Sequence, residues 1–184
     1  MLLSYTELCE LIEQGLVTGT DEYPISFNDV NSASLDIHLS DTVLVDNERR
    51  GKIIDYANRE KPSMQTVRIH RADGYVLAPG EGILASSTET FNLPSHISAE
   101  YKLKSSMARI FLEHLNAGWC DAGWHGSRLT LELINLSCTY GIRLRPGDAI
   151  GQVVFFKHAP VPYEKSYAAR GRYNNDGAVS GIKP

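Results

Sequence analysis

Apolar residues alternate with polar ones along much of the chain, and this period of two constrains the fold more than any other feature. The alternation is clearest in Leu129–Leu133 and in Leu35–Leu39. It places the apolar side chains on one face of a half-buried β-strand. Turn signals at Pro79–Gly82 and Pro146–Asp148 separate further short runs, namely Tyr75–Leu77, Ile83–Ala85, Gly141–Leu144 and Ile150–Phe156. Strands and turns in this pattern predict a mainly β fold, either a sandwich or a barrel.

Helical periodicity is confined to the start of the chain. Ser4 and Glu7 have the spacing of a capping box, so we expect one short helix within residues 1–16. The polar stretch Arg59–Gln65 is predicted to be a loop. A length of 184 residues suits one well-buried core, and residues 1–184 are therefore predicted to form a single domain.

The stretch from about residue 160 to residue 184 is irregular in pattern and has two explanations. A terminus of this kind often frays, and composition alone slightly favours that explanation. The alternative is a lid that orders over a ligand. Contacts to phosphate and base in such a lid would suit Tyr163, Arg170, Arg172, Tyr173 and Asn175.

Charge and cysteine content exclude several classes of protein. The chain has 18 Lys and Arg against 22 Asp and Glu, which disfavours a scaffold that binds nucleic acid. No apolar run approaches the ~20 residues that span a bilayer, and the first residues lack the pattern of a signal peptide. Three cysteines without C-x-x-C spacing argue against a disulfide framework and a zinc knuckle. We therefore expect a cytoplasmic protein without membrane contact.

The segment Lys104–Arg109 is a candidate phosphate-binding turn. Ser105 and Ser106 lie between two cations, followed by Met107 and Ala108, so hydroxyls, backbone N–H groups and positive charge come together. A simple N-capped turn with solvated charges has the same sequence. Both interpretations stay open on this segment alone.

A second segment, Asn116–Gly126, combines small residues with two tryptophans. Asp121 is its one acidic residue and could accept a hydrogen bond from a sugar hydroxyl. For Trp119 and Trp124 the favoured interpretation is packing into the core.

Glu132 is the most informative acidic residue. It alternates with the leucines of Leu129–Leu133, so it shares a strand face with Thr130. If that face is solvent, Glu132 is an ordinary surface acid. If the face lines a cleft, burial raises the pKa toward that of a general acid or base, and Arg109 is a plausible partner.

Five motifs in collinear order resemble the dCTP deaminase branch of the dUTPase-like superfamily. They are Val30–Leu39 (family pattern N-x-A-S-x-D-x-R-L), Lys104–Arg109 ([R/K]-S-S-L-[A/G]-R), Ala117–Trp124 with Leu129–Leu133 (A-G-x-I-D-x-G-[F/W] and T-L-E-L), Leu144–Gln152 (L-x-P-G-x-x-I-G-Q) and Arg172–Val179 (K-Y-x-x-Q-x-G). The resemblance implies a distorted β-barrel or jelly-roll with a short N-terminal helix and an irregular C-terminal lid. It also implies a homotrimer with active sites between neighbours.

The resemblance further implies a mechanism without zinc, in which Mg²⁺ accompanies the triphosphate and a glutamate moves protons. The six histidines likewise show no zinc-deaminase pattern. By position, Glu132 is the general acid/base, Arg109 and Ser105 hold Glu132 and the attacking water, and Lys104, Ser105 and Ser106 take the phosphates. The remaining implied contacts are Asp121 with deoxyribose, Thr130 and Leu131 with the base through strand backbone, and Gln152, Tyr163, Arg172 and Asn175 with the nucleotide.

Three departures from the family pattern bear on these assignments. The chain is one residue shorter between Arg109 and Asp121, in a loop that shapes the base pocket and the feedback response to dTTP in relatives. It is one residue longer between Gly126 and Glu132, which predicts a bulge or a longer hairpin. The tail is one residue short before Gly177, and Asn175 is the preferred match to the family glutamine, because an aspartate there would repel phosphate.

The leading hypothesis is therefore a dCTP deaminase that releases dUTP and ammonia. The second hypothesis is a bifunctional enzyme that converts dCTP to dUMP and pyrophosphate, or a plain dUTPase. The third is a trimeric β-sandwich module without catalytic activity.

Overall fold

Twelve strands and three α-helices are assigned within residues 1–47, 53–58 and 60–183, which are the residues that the computed structural model describes. The helices are α1 (Tyr5–Glu13), α2 (Ser105–Ala108) and α3 (Tyr167–Arg170). The strands are β1 (Val17–Thr18), β2 (Leu35–His38), β3 (Thr42–Asp46), β4 (Met64–Arg68), β5 (Tyr75–Leu77), β6 (Gly82–Asn92), β7 (Ile97–Leu103), β8 (Leu112–Glu113), β9 (Trp119–Cys120), β10 (His125–Asn135), β11 (Ile142–Leu144) and β12 (Ala149–Lys157). The predicted mainly β class is confirmed.

The strands form antiparallel sheets in which neighbouring strands are often distant in the sequence. The largest sheet has the order β4-β3-β6-β10-β8, with β1 added beside β6. A second sheet has the order β2-β12-β7-β9, and β5 pairs with β11. The core joins the two larger sheets, because Phe91 of β6 stacks on Trp124 at 5.4 Å between ring centroids and lies 6.5 Å from the ring of Phe155 on β12. Strand β10, which carries Glu132, pairs antiparallel with β6 in the largest sheet.

The N-terminal helix begins at the predicted capping box. Both the backbone N–H and the hydroxyl of Ser4 donate to the carboxylate of Glu7, at 2.9 and 2.8 Å. The helix buries Leu8 and Leu11 and ends at Glu13. Helix α1 is thus shorter than the predicted range but lies inside it.

The predicted turns are present, although the strands beside each turn do not pair with one another. After the turn at Pro79–Gly82, β6 pairs with β10 and β3, whereas β5 before the turn pairs with β11. The turn at Pro146–Asp148 likewise connects β11 to β12, which pairs with β2 and β7. These turns therefore carry the chain from one sheet to another.

The loop predicted at Arg59–Gln65 needs a correction. Arg59 lies outside the described residues, and Met64 and Gln65 belong to β4, which pairs with β3. Three of the five residues of the strand are exposed, and its two partly buried residues, Met64 and Val67, lie on opposite faces, so the sequence shows no apolar alternation. None of the helices in the described part of the chain is long and apolar enough to cross a membrane.

Candidate active site

A cavity of about 560 Å³ opens over the outer face of β10. Thr130 and Glu132 of the strand line it, together with Asp121 from the preceding turn. The C-terminal tail forms another wall through Tyr173 and Asp176. Three of the acidic and polar positions singled out in the sequence therefore share one cavity within a single chain.

Glu132 faces this cavity, which decides between the two interpretations of the alternating strand. In β10 the leucines Leu129, Leu131 and Leu133 are buried, whereas Thr130 and Glu132 are partly exposed on the other face. Burial raises the pKa of Glu132 above its usual range. A hydrogen bond from its own backbone N–H and the field of His114 act in the opposite direction but are smaller effects.

His114 is buried beside this carboxylate and has a defined tautomer. The backbone N–H of Asn116 donates to His114 Nδ1 at 2.8 Å. In the neutral ring the proton therefore sits on Nε2. The ring packs against Tyr101 with 5.1 Å between centroids. Sequence reasoning did not connect His114 with Glu132, because the two approach only through the pairing of β8 with β10.

The two tryptophans have different environments. Trp124 is buried on Phe91, as predicted, and its Nε1 donates to the carbonyl of Tyr173 at 3.0 Å. The core prediction is wrong for Trp119, which is 59% exposed. Its Nε1 donates to Oδ1 of Asp121 at 2.9 Å, so the indole orients the acid at the mouth of the cavity.

The tail packs along β10 through hydrogen bonds with Ser127 and Arg128. Ser127 Oγ lies 2.6 Å from the carbonyl of Tyr173 and accepts the N–H of Asp176 at 3.1 Å. Asn175 has a positive φ of 55° and approaches Gly126 closely. Gly126 has a positive φ of 64°, and a Cβ there would lie 3.3 Å from Asn175 Cα, so both backbone conformation and the close approach of the tail favour glycine at this point.

The turn Lys104–Arg109 lies elsewhere on the chain. Residues Ser105–Ala108 form α2, confirming a helical turn, and the side chains of Ser105, Ser106 and Arg109 are exposed. Lys104 Nζ pairs with Asp36 on β2. No residue of Lys104–Arg109 is among the described residues that line the Glu132 cavity.

Other predicted contacts also lie outside the cavity. Leu131 points into the core and can reach a ligand only through its backbone. Gln152 of β12 accepts a hydrogen bond from Ser34 at 3.2 Å. Tyr163 is 72% exposed near the start of the tail.

Arg172 lines a second cavity of about 590 Å³, together with Lys165 and Arg170. This cavity shares Asp121, Tyr167 and Tyr173 with the Glu132 cavity, so the two adjoin. Sequence reasoning named Arg170 as a candidate contact of the tail but missed Lys165. The only available signal was the excess of cations in Lys165–Arg172, which the irregular pattern of the tail obscured.

Comparison with known proteins shows the family of this chain. A family model described as dCTP deaminase-like matches residues 2–158. This chain belongs to the dCTP deaminase-like family. A protein of Mycobacterium ulcerans named "dCTP deaminase, dUMP-forming" is 36% identical over 172 residues, which cover 93% of this chain and 87% of the relative. A Streptomyces griseus protein of the same name is 36% identical over 167 residues, covering 89% and 85%.

Two solved structures show the family fold. The 2'-deoxycytidine 5'-triphosphate deaminase of Agrobacterium tumefaciens matches with a TM-score of 0.64 at 22% identity, over 84% of this chain. This chain spans about half of that one, with 47% of it covered. The dUTPase of Streptococcus mutans matches with a TM-score of 0.50 at 12% identity, over 79% of this chain and 98% of the other. The predicted dUTPase-like fold is thereby confirmed.

The bulge predicted between Gly126 and Glu132 is found at the start of this segment, where β10 has one extra residue between His125 and Ser127, whereas the extra residues between Arg128 and Thr130 lie on β6. The pairing of β10 with β6 shifts between His125 and Ser127 and again between Arg128 and Thr130. A bulge of this kind re-aims the side chains beside it.

Proposed function

We propose that this chain deaminates dCTP by hydrolysis, with Glu132 as the general acid/base. The observation that carries the proposal is the position of Glu132, in a cavity where burial raises the pKa of its carboxyl group. A general acid/base works best when its pKa lies near the working pH. Family membership supplies the reaction class, and this cavity supplies the group that the reaction needs.

The chemistry requires a proton to move twice. Glu132 takes a proton from water as the water oxygen bonds to C4 of cytosine. The carboxylic acid gives that proton to N3 of the ring. Glu132 then takes the proton of the new C4 hydroxyl and passes it to the amino group, so that the C4–N bond breaks, ammonia leaves and C4 becomes a carbonyl. The backbone of Thr130 and Leu131 beside Glu132 is proposed to hold the base, and Asp121 the deoxyribose.

A neighbouring copy is proposed to complete the site, in a homotrimer. Supporting this, the Lys104–Arg109 turn is exposed and lies apart from the Glu132 cavity of its own chain. The next residues expose large apolar side chains, with Ile110 at 48%, Phe111 at 61% and Leu115 at 60%. Apolar side chains clustered at a surface mark a contact with another molecule. Arg109 and Ser105 would then reach the Glu132 of the next subunit, and Lys104 and Ser106 its phosphates.

The tail is proposed to close over the nucleotide. Arg172 lines the cationic cavity with Lys165 and Arg170, and such a cavity would suit the outer phosphates. Gln152, Tyr163 and Asn175 remain proposed nucleotide contacts.

Magnesium is proposed to arrive with the triphosphate. The described residues contain no cluster of three or more His, Cys, Asp or Glu side chains that could hold a metal ion. A site with so few protein ligands fits Mg²⁺ that is held mainly by phosphate oxygens and water, because Mg²⁺ retains several waters and binds proteins through few carboxylates. When bound, the ion would neutralise charge on the phosphates.

The product distinguishes two versions of the proposal. The relatives described above are named dUMP-forming, which favours the bifunctional reaction over release of dUTP. The test is incubation of the protein with dCTP and Mg²⁺, followed by separation of dUTP, dUMP, pyrophosphate and ammonia, with and without dTTP. Ammonia with dUMP and pyrophosphate supports the bifunctional enzyme. Ammonia with dUTP supports the monofunctional one, and no turnover contradicts both. Light scattering of the active protein tests the trimer, which a monomeric mass would exclude.

A further inference from the structure

Arg128 gives the Glu132 cavity a cation that neither the family motifs nor the proposed mechanism uses. It is the one Lys or Arg among the described residues that line this cavity. The same lining contains four carboxylates, on Glu60, Asp121, Glu132 and Asp176. Within this lining, an anion is held most favourably beside Arg128.

Strand alternation places Arg128 in the cavity, on the same face of β10 as Thr130 and Glu132. Pairing with β6 is interrupted between Arg128 and Thr130 by extra residues on β6, where the partners on either side are Thr90 and Ser86. The backbone N–H of Arg128 donates instead to the carbonyl of Asp176 in the tail, at 2.9 Å. The side chain thus lies on the cavity face of the strand, between Glu132 and the tail.

The guanidinium is anchored on one side only. Its Nη1 donates to the hydroxyl of buried Ser40 at 3.3 Å. No ion pair to Arg128 is found among residues 1–47, 53–58 and 60–183. A half-buried guanidinium with most of its donors free is suited to bind an anion through a charge-assisted hydrogen bond.

The separation along the strand indicates which anion. The four residues of extended strand from Arg128 to Glu132 span ~13 Å. If Glu132 acts at C4 of the base, Arg128 lies one nucleotide length away on the same face. We infer that Arg128 binds the phosphate attached to the deoxyribose, whereas the cationic cavity of the tail takes the outer phosphates. This inference rests on the proposed function.

The inference predicts that the benefit of Arg128 depends on the presence of a phosphate and not on the number of phosphates. The experiment uses the full-length chain with Glu132→Gln, so that ligands are not consumed, and compares it with the same chain carrying Arg128→Gln. Calorimetry gives Kd for dCTP, dCMP and deoxycytidine. We expect Arg128→Gln to weaken dCTP and dCMP by similar factors, roughly 10- to 100-fold for a lost charge-assisted hydrogen bond, and to leave deoxycytidine unchanged. Arg128→Lys should recover part of the loss, because it keeps the charge.

The alternative outcomes are distinct. An equal loss for all three ligands would show that Arg128 only shapes the cavity, and no loss would show that it does not bind the nucleotide. A loss confined to dCTP would assign Arg128 to the outer phosphates instead, and any of these results overturns the inference. If deoxycytidine binds neither protein measurably, the comparison of dCMP with dCTP decides. Arg143→Gln, on exposed β11, is the control. If the protein with Arg128 intact also fails to bind dCTP, it is the proposed function that fails.

Discussion

His38 Nδ1 lies 2.8 Å from Oε1 of Glu89, a carboxylate with no solvent exposure. The backbone N–H of His38 donates to the same carboxylate at 3.1 Å, and Thr88 Oγ1 donates to it at 2.9 Å. Asp29 lies 3.7 Å from the other ring nitrogen. The family pattern has arginine at the position of His38, so this chain holds a buried carboxylate with a cation that can lose its charge.

This pair should make stability depend on pH. The hydrogen bond with Glu89 raises the pKa of His38 above its ordinary value of 6.5, despite an opposing effect of burial. The contribution of the charged pair is therefore complete below about pH 6.5 and is lost as the pH rises through the folded-state pKa. We expect the free energy of unfolding to fall as the pH rises above about 6.5, and His38→Arg to abolish most of that fall. Urea unfolding at several pH values measures it. The same fall in His38→Arg would contradict the assignment, and exposed His70→Arg serves as the control.

The hydroxyl of Tyr101 is buried without a hydrogen-bond partner among the described residues. A buried unsatisfied polar group costs ~1–3 kcal/mol, so Tyr101→Phe should raise the free energy of unfolding by about that amount or leave it unchanged. Tyr75 offers a matched control, because its hydroxyl donates to Glu81. Tyr75→Phe should lower stability by ~1 kcal/mol. A clear loss of stability in Tyr101→Phe would mean that the hydroxyl has a partner in the assembled protein.

Ser127 links the tail to β10 through hydrogen bonds of its side chain. Its side chain is fully buried and contacts both Tyr173 O and the N–H of Asp176. Ser127→Ala should lower stability by ~1–3 kcal/mol, speed hydrogen exchange in residues 173–183 and raise KM for dCTP. Ser137→Ala is the matched control, since Ser137 is also buried and accepts backbone N–H groups far from the tail. Unchanged exchange in the tail of Ser127→Ala would contradict this role.

Metal removal tests the proposed cofactor. Because Mg²⁺ is expected to bind mainly through the triphosphate, activity should survive a zinc-specific chelator and disappear when Mg²⁺ is withheld. Turnover assays with each chelator, combined with elemental analysis of the active protein, provide the measurement. Stoichiometric zinc in active protein would refute the proposed mechanism.

Local patterns predicted the elements well, whereas contacts distant in sequence were not predictable. The alternation of Leu129–Leu133 located β10 and the cavity face of Glu132, since a period of two is set by backbone geometry alone. Strand β4 was not predicted from the sequence because none of its residues is fully buried. Trp119 looked like a core residue from its type, but its indole serves Asp121 at the surface.

The candidate site was only partly predictable for the same reason. Thr130 and Glu132 share a strand, so their convergence follows from sequence. The approach of His114 depends on the pairing of β8 with β10. Arg128 alternates in phase with Thr130 and Glu132, but its place as a cation of the cavity was not predicted from the sequence. Residues Lys104–Arg109 were recognised as a motif, yet their separation from the cavity within one chain could be seen only in the structure.

The central claim is that Glu132 moves the protons of deamination. Glutamine keeps the shape of glutamate but cannot accept and return a proton, so Glu132→Gln should lower dCTP turnover by at least ~10²–10⁴-fold. Binding should persist, because the phosphate contacts are proposed to come from other residues. Exposed Glu10→Gln on α1 is the control and should leave turnover unchanged.

The measurement that tests this claim most directly pairs turnover of dCTP with calorimetric affinity for dCTP in the Glu132→Gln protein. We predict that turnover is lost while the Kd stays within a few-fold of the unsubstituted protein. Turnover close to that of the unsubstituted protein, in a variant that still binds dCTP, would contradict the account and remove Glu132 from the mechanism.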